Sequence, residues 1–225
     1  MSAKILITGL ANTGKTSLLK NLNDTLVIAR DGKPFALEMP HVNVPDYQTI
    51  DEVISLIGEK IEAYKTKFKK YPATIAIDSV STIFTDIEVN CDKKYNGYDV
   101  WKNVNKEITT LTSAINELMD KNNTFGHAFN IVLTCHIKWD ADAKKFIETS
   151  KGSFGQKGGF LSTVDYAIHI DIIGAKRIVS HRGSNLSRTL LEDMPEKEEV
   201  DKFNLQEYLD KITKKSQVVT EKWSI

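Results

Sequence analysis

The sequence predicts an α/β fold, three layers built on a mostly parallel central sheet. Two observations predict it. Short, almost continuously apolar segments alternate with longer segments whose apolar residues recur every three or four positions, and a glycine-rich turn joins the first apolar segment to the first helical one. Unbroken apolar runs suit strands covered on both faces, as parallel strands are when helices pack above and below them. With 225 residues the chain is long enough for one core of somewhat above-average size. That core is expected over residues 1–190, followed by an acidic linker and a C-terminal helix over 191–225.

The elements follow in order. Lys4 to Thr8 (KILIT) reads as a strand leading into the glycine-rich turn and a helix from about Lys15 to Leu22. Thr25 to Ala29 is a second strand, ended by Arg30-Asp31-Gly32. A hairpin-like stretch to Val44, broken by prolines 34, 40 and 45, follows. From Ile50 to Phe68 the apolar residues Ile50, Val53, Ile54, Ile57, Ile61 and Tyr64 keep the helical period, with Thr49 as the cap. Ala73 to Asp78 is a buried strand with Asp78 at its C-terminal tip. Helical pattern runs from Val80 to Val89 and again from Val100 to Met119, interrupted around Lys93 to Tyr98. Phe129 to Cys135 is another apolar strand. A long polar stretch from His136 to Gly159, irregular or a short hairpin, comes next, and loops of that length tend to be functional. Strands near Tyr166 to Ile172 and Lys176 to Ser180, then the acidic segment Glu192 to Glu199 and a helix around Leu205 to Ile212, complete the chain.

Composition narrows the function classes. Lys plus Arg equals Asp plus Glu at 30 each, so no global basic field points to nucleic acid, and any such binding must be local. No apolar run approaches the roughly 20 residues needed to cross a bilayer, so no membrane partner is expected. The N-terminus runs into a strand without a cleavable leader, which predicts the cytoplasm. Cys91 and Cys135 have no spacing of a disulfide framework or a metal knot and read as reduced thiols.

The strongest chemical signal is Gly9 to Thr16, G-L-A-N-T-G-K-T, between a strand and a helix. Phosphate-binding loops need this spacing: the glycines let backbone N–H groups turn toward the phosphates, and the following helix start favours an anion. Gly9, Ala11, Asn12, Thr13, Gly14, Lys15, Thr16 and Ser17 are the expected nucleotide-binding positions. Lys15 reaches the β- and γ-phosphates, and Thr16 supplies a hydroxyl for Mg²⁺. Asp78, at the tip of a second apolar strand, is the expected acidic partner of that ion; an N-cap role for the next helix is compatible with it. Hydrolysis also needs a group to orient or deprotonate water. Asp31, which equally suits a turn before Gly32, and Glu38 are the candidates. His136, at the end of the strand from Phe129, is placed to sense the γ-phosphate; the alternative is a histidine hydrogen-bonded at a strand end.

Taken together, G-L-A-N-T-G-K-T, A-I-D-S-V-S-T, L-T-C-H-I-K, a Gly/Lys-rich loop and V-D-Y-A-I-H-I resemble the RecA-like core of small phage-encoded nucleotide-binding proteins, including Sak-type single-strand annealing ATPases. The resemblance runs from about Lys4 to Ser180. It implies a P-loop NTPase with a RecA-like sheet and a Mg²⁺-dependent, DNA-stimulated ATPase using ATP. It also implies location in the host cytoplasm, assembly as a homo-oligomer, and partnership with single-stranded DNA and a single-stranded-DNA-binding protein. Two loops, about Asp92 to Tyr98 and Lys138 to Gly159, would face the DNA. In the second, Lys138, Lys144, Lys145, Lys151 and Lys157 would contact phosphates, and Trp139, Phe146 and Phe154 would stack on bases. Lys176, Arg177, Arg182 and Arg188 are candidates for a basic residue that acts on a neighbouring subunit's nucleotide.

Other classes compete. A GTPase switch lacks support, since Ile137-Lys138-Trp139-Asp140 misses the first polar residue of a guanine motif and Asp78 opens no D-x-x-G. A nucleotide or small-molecule kinase would use Lys138 to Gly159 as a lid, although that segment holds no arginine. A nucleotide-gated scaffold without turnover is the third class.

Overall fold

In the computed structural model the described residues are 2–30, 35–45, 49–150 and 152–223. The strands are β1 (Lys4–Gly9), β2 (Thr25–Ala29), β3 (His41–Asn43), β4 (Thr74–Asp78), β5 (Asn130–Asp140), β6 (Lys145–Glu148), β7 (Tyr166–Ile173), β8 (Lys176–Ser180) and β9 (Lys197–Glu199). The α-helices are α1 (Lys15–Leu18), α2 (Ile50–Phe68), α3 (Val80–Lys94), α4 (Tyr98–Glu117), α5 (Gly152–Gln156) and α6 (Leu205–Trp223), with 3₁₀ turns at Leu19–Asn21, Gly159–Thr163 and Val200–Lys202.

The sheet order is β3-β2-β4-β5-β1-β7-β8-β9. From β3 to β7 every neighbouring pair is parallel; β8 and β9 extend one edge antiparallel. The phosphate-loop strand β1 therefore lies between β5 and β7, and β4 with Asp78 lies one strand further, beyond β5.

Side-chain alternation along the strands assigns the two faces. Leu6, Ile75, Ile77, Ile131 and Leu133 face one layer, where Val53, Ile57 and Ile61 of α2, Phe84 of α3 and Val104 and Ile108 of α4 pack against them. Ile5, Ile7, Ala76, Val132 and Ile168 face the other, covered by Leu18, Leu19 and by Leu205, Tyr208, Leu209 and Ile212 of α6. Both faces are buried, which explains why these strands read as continuous apolar runs. The three-layer α/β architecture with a mostly parallel sheet is thus as the sequence predicts.

Local chemistry sets the boundaries. Thr49 and Glu52 form a reciprocal capping box at the start of α2, and Lys69, with φ 61°, closes it. Ser79 caps α3 by accepting from Thr82 N. Two expectations are corrected. The segment before Val44 is not a hairpin, since β3 runs parallel to β2. The acidic segment contains β9, paired with β8 through Ile178 to Ser180. Of the two readings of the stretch after His136, irregular or a short hairpin, the hairpin holds: β5 continues to Asp140 and turns back through β6. Among the described residues no helix is long and apolar enough to cross a membrane.

Candidate functional site

The site forms where β1 and β4 end and β5 runs on past them. Gly9, the last residue of β1, pairs with His136 on one side and Ile170 on the other. A β-carbon at Gly9 would stand 2.6 Å from Thr13 Oγ1 and 2.8 Å from the Ile170 carbonyl, so only glycine fits where the loop folds back on the sheet. Thr13 closes that turn, its Oγ1 donating to the Leu10 carbonyl at 2.9 Å. Gly14, with φ 99°, delivers the chain into α1 in a conformation that residues with a side chain rarely adopt. Ala11 and Asn12 form the exposed crest of the loop, and Ser17 is half-buried on α1.

Lys15 is buried, and its Nζ donates to the carbonyls of Gly9 at 3.0 Å and Leu10 at 2.7 Å. The ammonium is thereby held across the mouth of the loop. Beside it, Thr16 Oγ1 donates to Asp78 Oδ2 at 2.6 Å, and Thr134 Oγ1 donates to Asp78 Oδ1 at 2.5 Å. Asp78 is 4% exposed, so its two oxygens are fixed by hydroxyls from α1 and β5. The sequence reasoning named Thr16 and Asp78 and missed Thr134; its signal was a polar residue inside the apolar run I-V-L-T-C.

A second polar layer supports this one. Ser81 Oγ, bonded to Ser79 Oγ, accepts from the backbone N–H of His136 at 3.1 Å, which fixes the middle of β5 to the start of α3. Thr8 Oγ1 and His169 Nδ1 lie 3.0 Å apart beneath the loop, and burial lowers the His169 pKa, so the imidazole is neutral there. Burial raises the Cys135 thiol far above its ordinary value, which leaves it inert. Arg30, after β2, donates its backbone N–H to the Asp78 carbonyl at 2.6 Å and its Nε to Asp86 at 2.7 Å.

The other expected residues separate into groups. His136 stands within β5, beside Gly9 at the end of β1, and is half-buried. Asp31 and Lys151 lie outside the described residues. Glu38 is corrected: it is exposed, precedes the edge strand β3, and lines a surface depression with Lys60, Tyr64, Lys67 and Phe68. Those residues belong to the C-terminal half of α2, at the end of the sheet away from the phosphate loop, so the Glu38 carboxylate has no access to the chemistry.

In the β5–β6 hairpin, Lys138, Trp139, Lys144, Lys145 and Phe146 are exposed. Trp139 and Phe146 pair edge to face across it, centroids 5.2 Å apart. Asp140 Oδ1 accepts from the N–H groups of Asp142 and Ala143 in the turn, and Asn185 Nδ2 donates to the Phe146 carbonyl at 2.7 Å, anchoring the hairpin to the segment after β8. Lys157 is also exposed, near a cleft of about 550 Å³ lined by Lys138, Asp140, Lys145, Glu148 and Gln156. Phe154 is corrected: it packs inward against Phe84 and Phe160, which takes it out of the stacking set. Glu148 accepts from the N–H groups of Phe160 and Leu161 at 2.6 and 3.0 Å, and burial pushes its pKa up to about 6.

The geometry thus joins a glycine-rich loop, a buried lysine and a hydroxyl–carboxylate pair at the carboxyl ends of parallel strands. A profile of the AAA domain matches residues 1–190. The chain belongs to the AAA domain family. No curated protein matches it. As an AAA-type protein it is a P-loop nucleotide-binding ATPase, a class in which the nucleotide typically comes with Mg²⁺. The AAA domain residues present here suit that ion: the Thr16 hydroxyl and the Asp78 carboxylate are hard oxygen donors side by side, as magnesium requires when it keeps water and phosphate oxygens for its other positions.

Proposed function

We propose that this protein is a RecA-like ATPase that binds single-stranded DNA and promotes annealing or recombination, with ATP and Mg²⁺ at the loop from Gly9 to Ser17. The observation that carries the reading is the continuity of β5. One strand holds Thr134 against Asp78, presents His136 beside Gly9, and runs on into the hairpin that exposes Trp139 and Phe146 among Lys138, Lys144 and Lys145. Exposed aromatics among lysines suit sequence-tolerant single-strand binding: bases stack on rings while ammonium groups meet phosphates.

In this reading Lys15 leaves the carbonyls of Gly9 and Leu10 for the β- and γ-phosphates. Thr16 and Asp78 hold the metal, which when bound neutralises charge on those phosphates. Thr134 keeps the Asp78 carboxylate turned toward Thr16. His136 senses the γ-phosphate from its place on β5 beside Gly9. The protein acts as a homo-oligomer on DNA coated by a single-stranded-DNA-binding protein in the cytoplasm of a phage host.

ATP turnover with Mg²⁺, measured with and without single-stranded DNA and with Lys15→Ala as blank, tests the proposal. Turnover that rises with DNA and is absent from Lys15→Ala is expected. Turnover indifferent to DNA, together with no DNA binding in an anisotropy titration, would sink the DNA reading and leave a kinase or another ATPase. DNA binding that depends on ATP without turnover would leave a nucleotide-gated scaffold.

A further inference from the structure

The hairpin of β7 and β8 overshoots the phosphate-loop strand. Gly9, the end of β1, pairs with Ile170, whereas β7 continues through Asp171 to Ile173 and returns as β8 from Lys176. Arg177, opposite Ile172, is thereby carried past the sheet and over the loop. A β-carbon at Gly14 would lie 2.9 Å from Arg177 Nη1 and 3.8 Å from its Cζ, so the guanidinium lies on the backbone that opens α1. Its Nη2 is 3.5 Å from Asp201, a carboxylate 85% exposed, and Arg177 itself is 42% exposed. The pair is loose and open to solvent, so the guanidinium is free to exchange Asp201 for a stronger anion.

The other basic candidates are placed differently. Lys176 bonds Glu199, Arg182 donates to the Leu191 carbonyl at 2.6 Å, and Arg188 donates to the Val164 carbonyl. The two flanks of β1 then separate Arg177 from the residues that would hold the metal. Thr16 and Asp78, with Thr134 behind the carboxylate, lie on the flank of β1 that faces β5 and β4, where they would hold the metal and it would neutralise charge at the reacting end of the triphosphate. Arg177 comes from the opposite flank, through β7 and β8. A triphosphate with its γ end toward Asp78 would run its non-terminal phosphates toward the flank from which Arg177 comes.

The geometry points to Arg177 as a clamp, supplied by the same chain, on the α-phosphate of the bound nucleotide, with Asp201 as its resting partner. This rests on the nucleotide-site reading above. A planar guanidinium suits the role because it offers two parallel N–H donors to phosphate oxygens. The α-phosphate is shared by ATP and ADP and does not react, so Arg177 contributes equally to binding of substrate and product.

Calorimetric titration of the full chain with Mg²⁺-ADP and with a Mg²⁺-bound non-hydrolysable ATP analogue, for wild type, Arg177→Ala, Arg177→Lys, Asp201→Asn and Lys15→Ala, tests it. Arg177→Ala is expected to weaken both nucleotides by the same factor, about tenfold, and to raise the KM for ATP far more than it lowers kcat. Arg177→Lys should recover part of the loss, and Asp201→Asn should weaken neither ligand. Three results would overturn the assignment: affinities within twofold of wild type in Arg177→Ala, a loss confined to the ATP analogue, or an equal loss in Asp201→Asn, which would mean that Arg177 merely fastens the turn at Val200–Lys202. Tight binding retained by Lys15→Ala would instead fail the nucleotide-site reading itself.

Discussion

Thr134 and Asp78, 56 residues apart in sequence, meet inside the sheet through a hydrogen bond that leaves the other carboxylate oxygen to Thr16. The carboxylate therefore has one oxygen facing the core and one facing the loop. Thr134→Val keeps the shape and removes the donor. Loss of a group that orients a metal-binding carboxylate lowers metal affinity or activity by about 10- to 100-fold. The expected signature is a rightward shift in the Mg²⁺ concentration needed for half-maximal turnover, with Tm changed by only a few degrees. An unchanged Mg²⁺ titration would remove Asp78 from the metal site.

Gly9 is confined by Thr13 and by the Ile170 carbonyl. Gly9→Ala pushes its β-carbon into both, and the carbonyl belongs to a core strand that cannot yield. The loop must shift, so nucleotide binding is expected to be lost while the circular dichroism spectrum keeps its α/β form. Wild-type affinity in that variant would show that the loop geometry is not what holds the phosphates.

Neutralising Lys138, Lys144 and Lys145 together is expected to weaken single-stranded DNA binding and to reduce the slope of log K against log salt by about 2, at roughly 0.7 per lost phosphate contact. Trp139→Ala should cost about 1 to 3 kcal/mol of DNA affinity without changing that slope, because it removes stacking and not charge. Equal slopes for wild type and the triple variant would exclude the hairpin as a DNA surface.

Glu148 supplies a pH test. Its folded pKa, about 6, lies above its ordinary 4.5. Its contribution is thus whole below pH 4.5 and is lost as pH rises through 6, amounting to about 2 kcal/mol at 1.36 kcal/mol for each pH unit. Glu148→Gln, which keeps an acceptor for Phe160 or Leu161, should flatten the urea-unfolding stability profile between those limits. A profile parallel to wild type would show that the carboxyl titrates as an ordinary surface acid.

Much of the fold is legible because burial on both faces writes itself as apolar runs, and α2 is bounded by side-chain caps the sequence displays at Thr49 and Glu52. The strands β3 and β9 are not, since three-residue edge strands exist through pairing with β2 and β8 and carry no period of their own. The same limit applies at the site. Gly9 to Thr16 is contiguous and therefore visible, whereas the Thr134 role depends on sheet order. Glu38 attracted attention by following β2 closely, but closeness in sequence does not say at which end of the sheet a residue falls.

The hairpin and the nucleotide loop are two ends of a cantilever. The inner half of β5 is gripped on both sides, by β1 as far as His136 and by β4 as far as Leu133, and its outer part, among the described residues, pairs with β6 on one side. Five residue steps, about 17 Å of extended chain, carry β5 from Thr134 to Trp139 without a loop to absorb a displacement. A load applied at the tip is carried as bending along the strand toward its clamped root, where Thr134 holds Asp78.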